Sequence, residues 1–123
     1  MQSKKVLAVL EDLLFMVKIN EAAKRAGMQA EFVKSQQDTL DKAAEQPAVI
    51  FLDLNFASIE PLDLIKRLKS DESTKKVNLI GFVSHVQGEL KQQAQEAGCN
   101  TVLARSAFSQ NLPLLLKRNG GAQ

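Results

Sequence analysis

Hydrophobic and polar residues alternate along this chain in two ways, as short apolar runs and as longer stretches with helical spacing. Short apolar runs predict buried β-strands, because both faces of a central parallel strand are covered. Stretches with apolar residues three or four positions apart predict amphipathic helices. The predicted strands span residues 6–10, 30–33, 49–54, 77–83 and 101–104. The predicted helices span residues 12–26, 38–45, 61–69, 89–97 and 108–117.

The predicted strands and helices alternate, in about five consecutive strand–helix units. Alternation of this kind predicts an α/β fold with a parallel sheet and helices on both of its faces. A common order for five such strands is the flavodoxin-like order 2-1-3-4-5. The length of 123 residues fits one domain, which we expect to span residues 4–118. We expect residues 119–123 to form a flexible tail, because glycines interrupt the last helix there.

Asp53 is the most informative position, because four large apolar residues lead directly into this carboxylate. An ionised carboxylate inside a core costs several kcal/mol, roughly, unless it is paired or ligated. We therefore expect Asp53 at the carboxyl end of its strand, where ligands bind in open α/β sheets. A strand-ending aspartate that caps the next turn is the alternative interpretation. In the order 2-1-3-4-5, Glu11 and Asp12 at the end of the first strand lie close to Asp53.

Carboxylates brought this close repel each other unless a cation lies between them. Oxygen ligands on a partly hydrated site suit Mg²⁺. The predicted ligands are Glu11, Asp53 and, more weakly, the carbonyl of Asn55, with Asp12 as the alternative to Glu11. Such a metal would let a carboxylate oxygen of Asp53 accept a phosphoryl group, since it neutralises the charge that develops during transfer.

Two further side chains are predicted to contact that phosphoryl group. Arg105 follows the fifth strand and supplies a cation for the phosphate. Ser84 follows the fourth strand and supplies a hydroxyl donor. His85 comes directly after Ser84, and we expect it to be a solvated loop residue.

Composition and charge narrow the possible partners. The net charge is +2, from 16 basic and 14 acidic residues, and the chain has no Trp or Tyr. Nucleic acid is not expected as a partner, because neither a basic face nor stacking aromatics stand out. The single cysteine, Cys99, suits a reducing compartment and is expected to pack in the core. No apolar run approaches the roughly 18 residues that a membrane span needs, so we do not expect the chain to bind or cross a membrane. We expect a cytoplasmic location.

The chain resembles the receiver domains of response regulators over residues 5–118. The resemblance rests on the sequences VLAVLED at 6–12, VIFLDLN at 49–55, AQEAGC at 94–99 and LARS at 103–106. It implies that Asp53 is the phosphoacceptor, with Mg²⁺ as cofactor and a histidine kinase or a phosphotransfer protein as phosphate donor. It also implies that residues 89–117 form the surface that binds partners, with Glu89, Val102, Phe108 and Leu112 on it.

Several positions depart from the family pattern. The departures are Leu10 and Glu11 in place of the acidic pair, Val83 in place of the switch hydroxyl residue (Ser84 is next to it), Arg105 in place of a lysine, Ser106 in place of a cis proline, and Val102 in place of an aromatic residue. We expect a trans peptide before Ser106, because cis bonds are costly before residues other than proline. Together the departures predict a degenerate receiver, or pseudo-receiver, with weakened Mg²⁺ binding.

Two functions follow from this interpretation. The first is a stand-alone receiver-like signalling module that acts through contacts with another regulator or a second copy of itself, with phosphorylation at Asp53 impaired or dispensable. The alternative is a functional phosphoacceptor. An enzyme is not expected, because Asn55 stands where an aspartate-based phosphatase needs a general acid, and an amide does not transfer a proton in that way. Phe108 and Leu112 also fit an apolar stripe in the core, and any part left exposed would mark a partner surface.

Overall fold

The computed structural model describes residues 4–84 and 87–121, and within these ranges a parallel sheet of five strands is flanked by six α-helices. The strands are β1 (Lys5–Val9), β2 (Gln29–Val33), β3 (Val49–Asp53), β4 (Leu79–Val83) and β5 (Thr101–Ala104). The helices are α1 (Leu13–Arg25), α2 (Gln36–Ala43), α3 (Pro61–Ser70), α4 (Gly88–Ala97), α5 (Arg105–Gln110) and α6 (Leu112–Arg118). The strand order is β2-β1-β3-β4-β5, which confirms the predicted fold. No helix in the described ranges has the length and apolar character needed to cross a membrane.

The sheet separates two hydrophobic cores, and the alternation of side chains along β3 shows how. Val49 and Phe51 pack with α1, α5 and α6 on one face. Ile50 and Leu52 pack with α2, α3 and α4 on the other. Because alternate residues of a strand face the same side, Asp53 points towards the α1, α5 and α6 face. The register places Asp53 beside Phe82 of β4.

The second helix begins earlier than predicted. It starts at Gln36 because Ser35 is its N-cap, with the Ser35 hydroxyl accepting a hydrogen bond from the Asp38 amide at 3.1 Å. The prediction that Asp38 opens this helix is therefore wrong by about one half-turn. At the end of α4 the prediction holds, since Gly98 closes the helix at a φ of 118°, a value that L side chains rarely adopt.

The last predicted helix, over residues 108–117, is wrong because the structure divides this region into α5 and α6. The division falls at Asn111, two residues before Pro113. Proline has no N–H to donate to the carbonyl four residues earlier, which here belongs to Ser109. Helix α5 begins at Arg105, directly after β5, so this helix start fixes where the arginine side chain leaves the sheet.

Residues 119–121 of the expected tail make hydrogen bonds to the rest of the chain. The Gly121 amide donates to the carbonyl of Leu116 at 2.8 Å, and the Asn119 side chain bonds to Asn78 at 2.8 Å. Ala122 and Gln123 lie outside the described residues. The peptide before Ser106 is trans, as expected, since no cis peptide occurs in the described part of the chain.

Lys69 joins α3 to the segments that lead into β4 and β5. Its ammonium group donates to the carbonyl of Val77 at 3.0 Å and to Oδ1 of Asn100 at 2.6 Å. Burial lowers the pKa of the Lys69 amine.

Cys99, next to Asn100, is buried as predicted. Burial raises the pKa of its thiol above the ordinary value.

Four phenylalanine rings form a connected cluster under the carboxyl end of the sheet. The Phe108 ring stacks on Phe82 with centroids 4.4 Å apart and meets the edge of Phe51 at 4.9 Å. Phe15 of α1 lies 5.5 Å from Phe82. Phe108 therefore joins α5 to two central strands.

We predict that Phe108→Ala lowers the free energy of unfolding by about 3–5 kcal/mol, because it leaves a cavity between α5 and the sheet. Urea unfolding followed by circular dichroism measures this, since the chain has no Trp or Tyr for fluorescence. Leu114→Ala, at an exposed position of α6, is the matched control and should change stability by less than about 1 kcal/mol. Equal losses in the two variants would contradict the prediction.

The Cys99 thiol tests the core on the other face of the sheet, against α2, α3 and α4. We predict that it reacts with a disulfide reagent at pH 8 at least about 100-fold more slowly in the native chain than in urea, since burial restricts access and disfavours the thiolate. Absorbance of the released thiolate measures the rate. Rapid stoichiometric labelling in native buffer would show that Cys99 is accessible.

Candidate functional site

Asp53 is a nearly buried carboxylate at the carboxyl end of β3, with 5% of the residue exposed. Its Oδ1 accepts a hydrogen bond from the Asn55 amide at 2.9 Å. This contact is the turn-forming bond of an aspartate to the backbone two residues later. The capping interpretation of Asp53 and the site interpretation are therefore compatible, because the second oxygen remains available for another partner.

That partner is Arg105, the first residue of α5. Its Nη2 donates to Oδ1 of Asp53 at 3.1 Å and to Oδ2 at 3.0 Å. The guanidinium also lies over two aromatic rings, with Cζ 4.7 Å from the centroid of Phe15 and 5.1 Å from that of Phe82. These rings give the arginine a cation–π contact and fix its plane. One positive charge of the protein thus neutralises the buried carboxylate.

Asp12 is the second carboxylate beside Arg105. Its Oδ2 lies 3.6 Å from Nη1 of Arg105, so the guanidinium lies between Asp12 and Asp53. Oδ1 of Asp12 accepts hydrogen bonds from the amides of Leu14 at 2.9 Å and Phe15 at 3.2 Å. Asp12 is therefore the N-cap of α1, and the helix predicted from residue 12 begins one residue later, at Leu13. Its predicted role as an alternative metal ligand competes with both contacts.

Glu11, the other acidic residue predicted for the site, is not paired with Arg105 in the described part of the chain. Glu11 is exposed, and Arg105 is paired with Asp12 and Asp53 in the described part of the chain. Leu10, which stands where the resembling family has its first acid, is fully buried in the core. The acidic crevice predicted from the loops after β1 and β3 therefore contains two carboxylates with an arginine between them.

Asn55 connects Asp53 to the loop after β4. Its side-chain Oδ1 accepts from the Ser84 amide at 3.0 Å and from the Ser84 hydroxyl at 3.3 Å. Its Nδ2 donates to Oε1 of Gln87, the residue before α4. The main-chain carbonyl of Asn55, the predicted weak metal ligand, accepts from the Ala57 amide at 2.9 Å.

The side chains of Val83 and Ser84 lie on different sides of the sheet end. Val83 is buried in the core on the α2, α3 and α4 face, away from Asp53. Ser84 and Arg105 line one cavity of about 670 Å³ between α1 and α5. Ser84 is therefore the hydroxyl residue near the arginine, while its contact with a phosphate stays a prediction. His85 lies outside the described residues.

The residues of this site do not form a ready metal site. In residues 4–84 and 87–121, no group of three or more His, Cys, Asp or Glu side chains is arranged to hold a metal ion. Both oxygens of Asp53 are bonded to Arg105, and Oδ1 of Asp12 is used as a helix cap. A cation that the chain itself provides occupies the space between the carboxylates.

The predicted partner surface is wrong for three of its four residues. Val102 is 4% exposed, Phe108 0% and Leu112 3%, so their side chains belong to the cores. Val102 lies in the middle of β5, and the other two residues pack α5 and α6 against the sheet. Glu89 is exposed on α4, as a surface residue should be.

Sequence reasoning missed three residues of the site, namely Phe15, Phe82 and Gln87. The two phenylalanines appeared as ordinary core residues, because nothing in their spacing shows that an arginine will lie over them. Gln87 gave no signal either, since its partner Asn55 is 32 positions away. These side chains come together at the end of the sheet only in the folded chain, because each is far from its partner in the sequence.

No protein-family model matches the sequence, and no curated protein matches it at a significant level. Solved structures do match its fold. A response regulator from Hahella chejuensis superposes with a TM-score of 0.85 at 17% identity, covering 96% of each chain. A chemotaxis response regulator of Vibrio cholerae gives 0.80 at 21% identity, covering 96% of this chain and 99% of the other.

A third neighbour is the receiver domain of a sensor histidine kinase from Pseudomonas aeruginosa, which has a magnesium ion coordinated in its active-site cleft. It superposes with a TM-score of 0.80 at 17% identity, covering 95% of this chain and 97% of the other. The similarity in each case extends over nearly the whole chain, and the strand order is the same as predicted. The chain therefore has the fold of response-regulator receiver domains.

Proposed function

We propose that this chain is a receiver-like signalling module that acts through protein contacts, with phosphorylation at Asp53 impaired or dispensable. The observation that supports this most directly is the position of Arg105, whose Nη2 lies within 3.1 Å of both oxygens of Asp53. In this proposal the module is a pseudo-receiver and not an enzyme. It also includes a cytoplasmic location, which suits the single buried cysteine.

The Asp53–Arg105 ion pair opposes phosphorylation for a physical reason. A carboxylate attacks phosphorus through a free lone pair, and the charge that develops must be neutralised, usually by a metal. Here the guanidinium bonds to both oxygens and already provides the neutralising charge. Phosphorylation would need Arg105 to move off one oxygen, at a cost set by how far the pair is shielded from water.

Weak Mg²⁺ binding belongs to the same proposal. The magnesium-containing neighbour shows that this fold can bind the ion in its cleft. In the present chain Leu10 provides no carboxylate. The positive charge of Arg105 lies beside Asp53 and would repel a metal ion there. Glu11 is exposed, so it would have to turn into the crevice to bind an ion together with Asp53 and the carbonyl of Asn55.

The alternative is a functional phosphoacceptor that takes phosphate on Asp53 from a histidine kinase or a phosphotransfer protein. One observation favours it: Ser84 and Arg105 line the same cavity, so both could reach a phosphoryl group on a displaced Asp53. In that case the arginine would move from the carboxylate to the phosphate, a charge-assisted contact. Asn55 would transmit the change to Gln87 and the start of α4.

We predict that the wild-type chain half-saturates with Mg²⁺ only above about 10 mM and shows little modification by beryllofluoride or acetyl phosphate. Arg105→Ala should bind Mg²⁺ at least about tenfold more tightly, because two carboxylates then lack a cation. NMR chemical shifts and intact mass measure binding and modification. Arg25→Ala, at the exposed end of α1, is the matched control and should behave as wild type. Stoichiometric modification of wild-type Asp53 with widespread shifts would overturn impaired phosphorylation and favour the alternative.

A double-mutant cycle tests whether the Asp53–Arg105 ion pair stabilises the fold. We predict that Asp53→Asn and Arg105→Gln each lower the free energy of unfolding by about 1–3 kcal/mol, because the first leaves a partly buried guanidinium and the second a nearly buried carboxylate without its partner. The double variant should lose less than the sum, with a coupling of about 1 kcal/mol. Urea unfolding provides the four values. Strict additivity would show that the two side chains do not interact in solution.

A further inference from the structure

A cavity of about 560 Å³ opens between the loop after β3 and the starts of α3 and α4, and we call it the α3–α4 cleft. Its walls are mostly apolar, and the apolar residues that line it are Leu54, Ala57, Pro61, Leu62 and Leu90. Clefts of roughly 300–1,000 Å³ with walls of this kind are where proteins usually bind ligands. The cleft lies on the α2, α3 and α4 face of the sheet, so it is separate from the cavity beside Arg105.

Both charged residues that line the cleft in the described part of the chain are acidic. Glu60 comes directly before α3, and Asp63 lies in its first turn. Both are exposed, and neither forms an ion pair with another described residue. The net charge of the chain is +2, so this negative charge is a local feature. A ligand that fits the cleft therefore combines an apolar group with a positive charge.

Local structure explains only one of these two carboxylates. An acidic residue in the first turn favours a helix, which accounts for Asp63. Glu60 makes no capping hydrogen bond, and its φ of 53° lies in the left-handed region that suits Gly or Asn better than Glu. The structure of the helix start therefore does not require a glutamate at this position.

Hydrogen bonds hold the walls of the cleft in place. On the α2 side, the side-chain amide of Gln36 donates to the carbonyl of Ile59 at 2.8 Å, and Arg67 donates to Gln36 at 2.6 Å. On the α4 side, Nδ2 of Asn55 donates to Oε1 of Gln87. The loop after β3 is thus joined to α2 and to the start of α4, and a ligand need not order it on binding.

We propose that the α3–α4 cleft docks a segment of a protein partner in which a large apolar side chain lies beside a lysine or an arginine. The apolar side chain would fill the space between Leu62 and Leu90, which are only partly buried. The cation would pair with Glu60 and Asp63. A buried apolar anchor supplies most of the affinity in such a contact, whereas exposed charges mainly select the partner.

The cleft also adjoins the Asp53 site. Asn55 lines the cleft, and its main-chain amide donates to Oδ1 of Asp53 at 2.9 Å. A docked segment therefore contacts the loop that begins after Asp53 without replacing the Asp53–Arg105 ion pair. This inference rests on the proposed function only in taking protein contact as the output.

Backbone amide shifts measure the docking of a synthetic helical peptide with leucines on one face and lysines beside them. In the NMR spectra of the ¹⁵N-labelled chain, Ala57, Leu62 and Leu90 should shift, with a Kd below about 1 mM. Peptides with glutamates for the lysines, or with serines for the leucines, should bind at least about tenfold more weakly. The n-hexylammonium ion, which has the same chemistry without a peptide, should also bind at least about tenfold more weakly. Equal affinity for this ion would overturn a protein segment as the occupant.

A variant with both Glu60→Lys and Asp63→Lys should weaken the peptide complex at least about tenfold, because repulsion replaces attraction at both positions. Glu21→Lys with Glu96→Lys is the matched control. It makes the same change in net charge at exposed positions outside the cleft and should bind the peptide as wild type.

Equal weakening in the two variants would overturn the proposal, and so would peptide shifts confined to another part of the surface. Shifts at the cleft that grow with protein concentration in the absence of peptide would assign the cleft to a second copy instead. No outcome changes the Mg²⁺ and beryllofluoride experiment, so the two proposals fail separately.

Discussion

The burial of one carboxylate, Asp53, is the constraint on which the carboxyl end of this sheet depends. A charge in that position needs a permanent partner, and Arg105 is that partner. The arginine in turn needs a flat apolar support, which Phe15 and Phe82 provide. Phe108 packs against Phe82 and so joins the support to α5, the helix that begins with Arg105 itself. The ion pair and the aromatic cluster are therefore one structural unit.

The same unit explains why the departures from the receiver pattern belong together. A buried leucine at position 10 removes a carboxylate from the crevice, which lowers the need for a metal ion. An arginine at position 105 reaches both remaining carboxylates, Asp53 and Asp12, where a lysine would place a single compact charge. One positive charge then lies between two negative ones, and it pairs with both.

Much of the fold could be predicted from the sequence because it follows from local periodicity. Apolar runs and helical spacing identified the strands, and their order is the common one for five alternating strand–helix units. The helix break before Pro113 was missed because the apolar stripe continues across it. Val102, Phe108 and Leu112 were placed on a partner surface by analogy, whereas their burial depends on how α5 and α6 pack. The site contacts of Arg105 were not predictable either, since they join residues 52 positions apart.

Asp12 shows how fold, site and surface are connected in this chain. One of its oxygens caps α1, and the other lies beside Arg105. The position of α1 therefore depends on the residue that also faces the guanidinium, and the exposed leucines of this helix begin at the next residue. Arg105 contacts Asp53 at the end of β3, Asp12 at the start of α1 and the ring of Phe15. The end of β3 and the start of α1 are therefore held by one set of contacts, because the same guanidinium takes part in each of them.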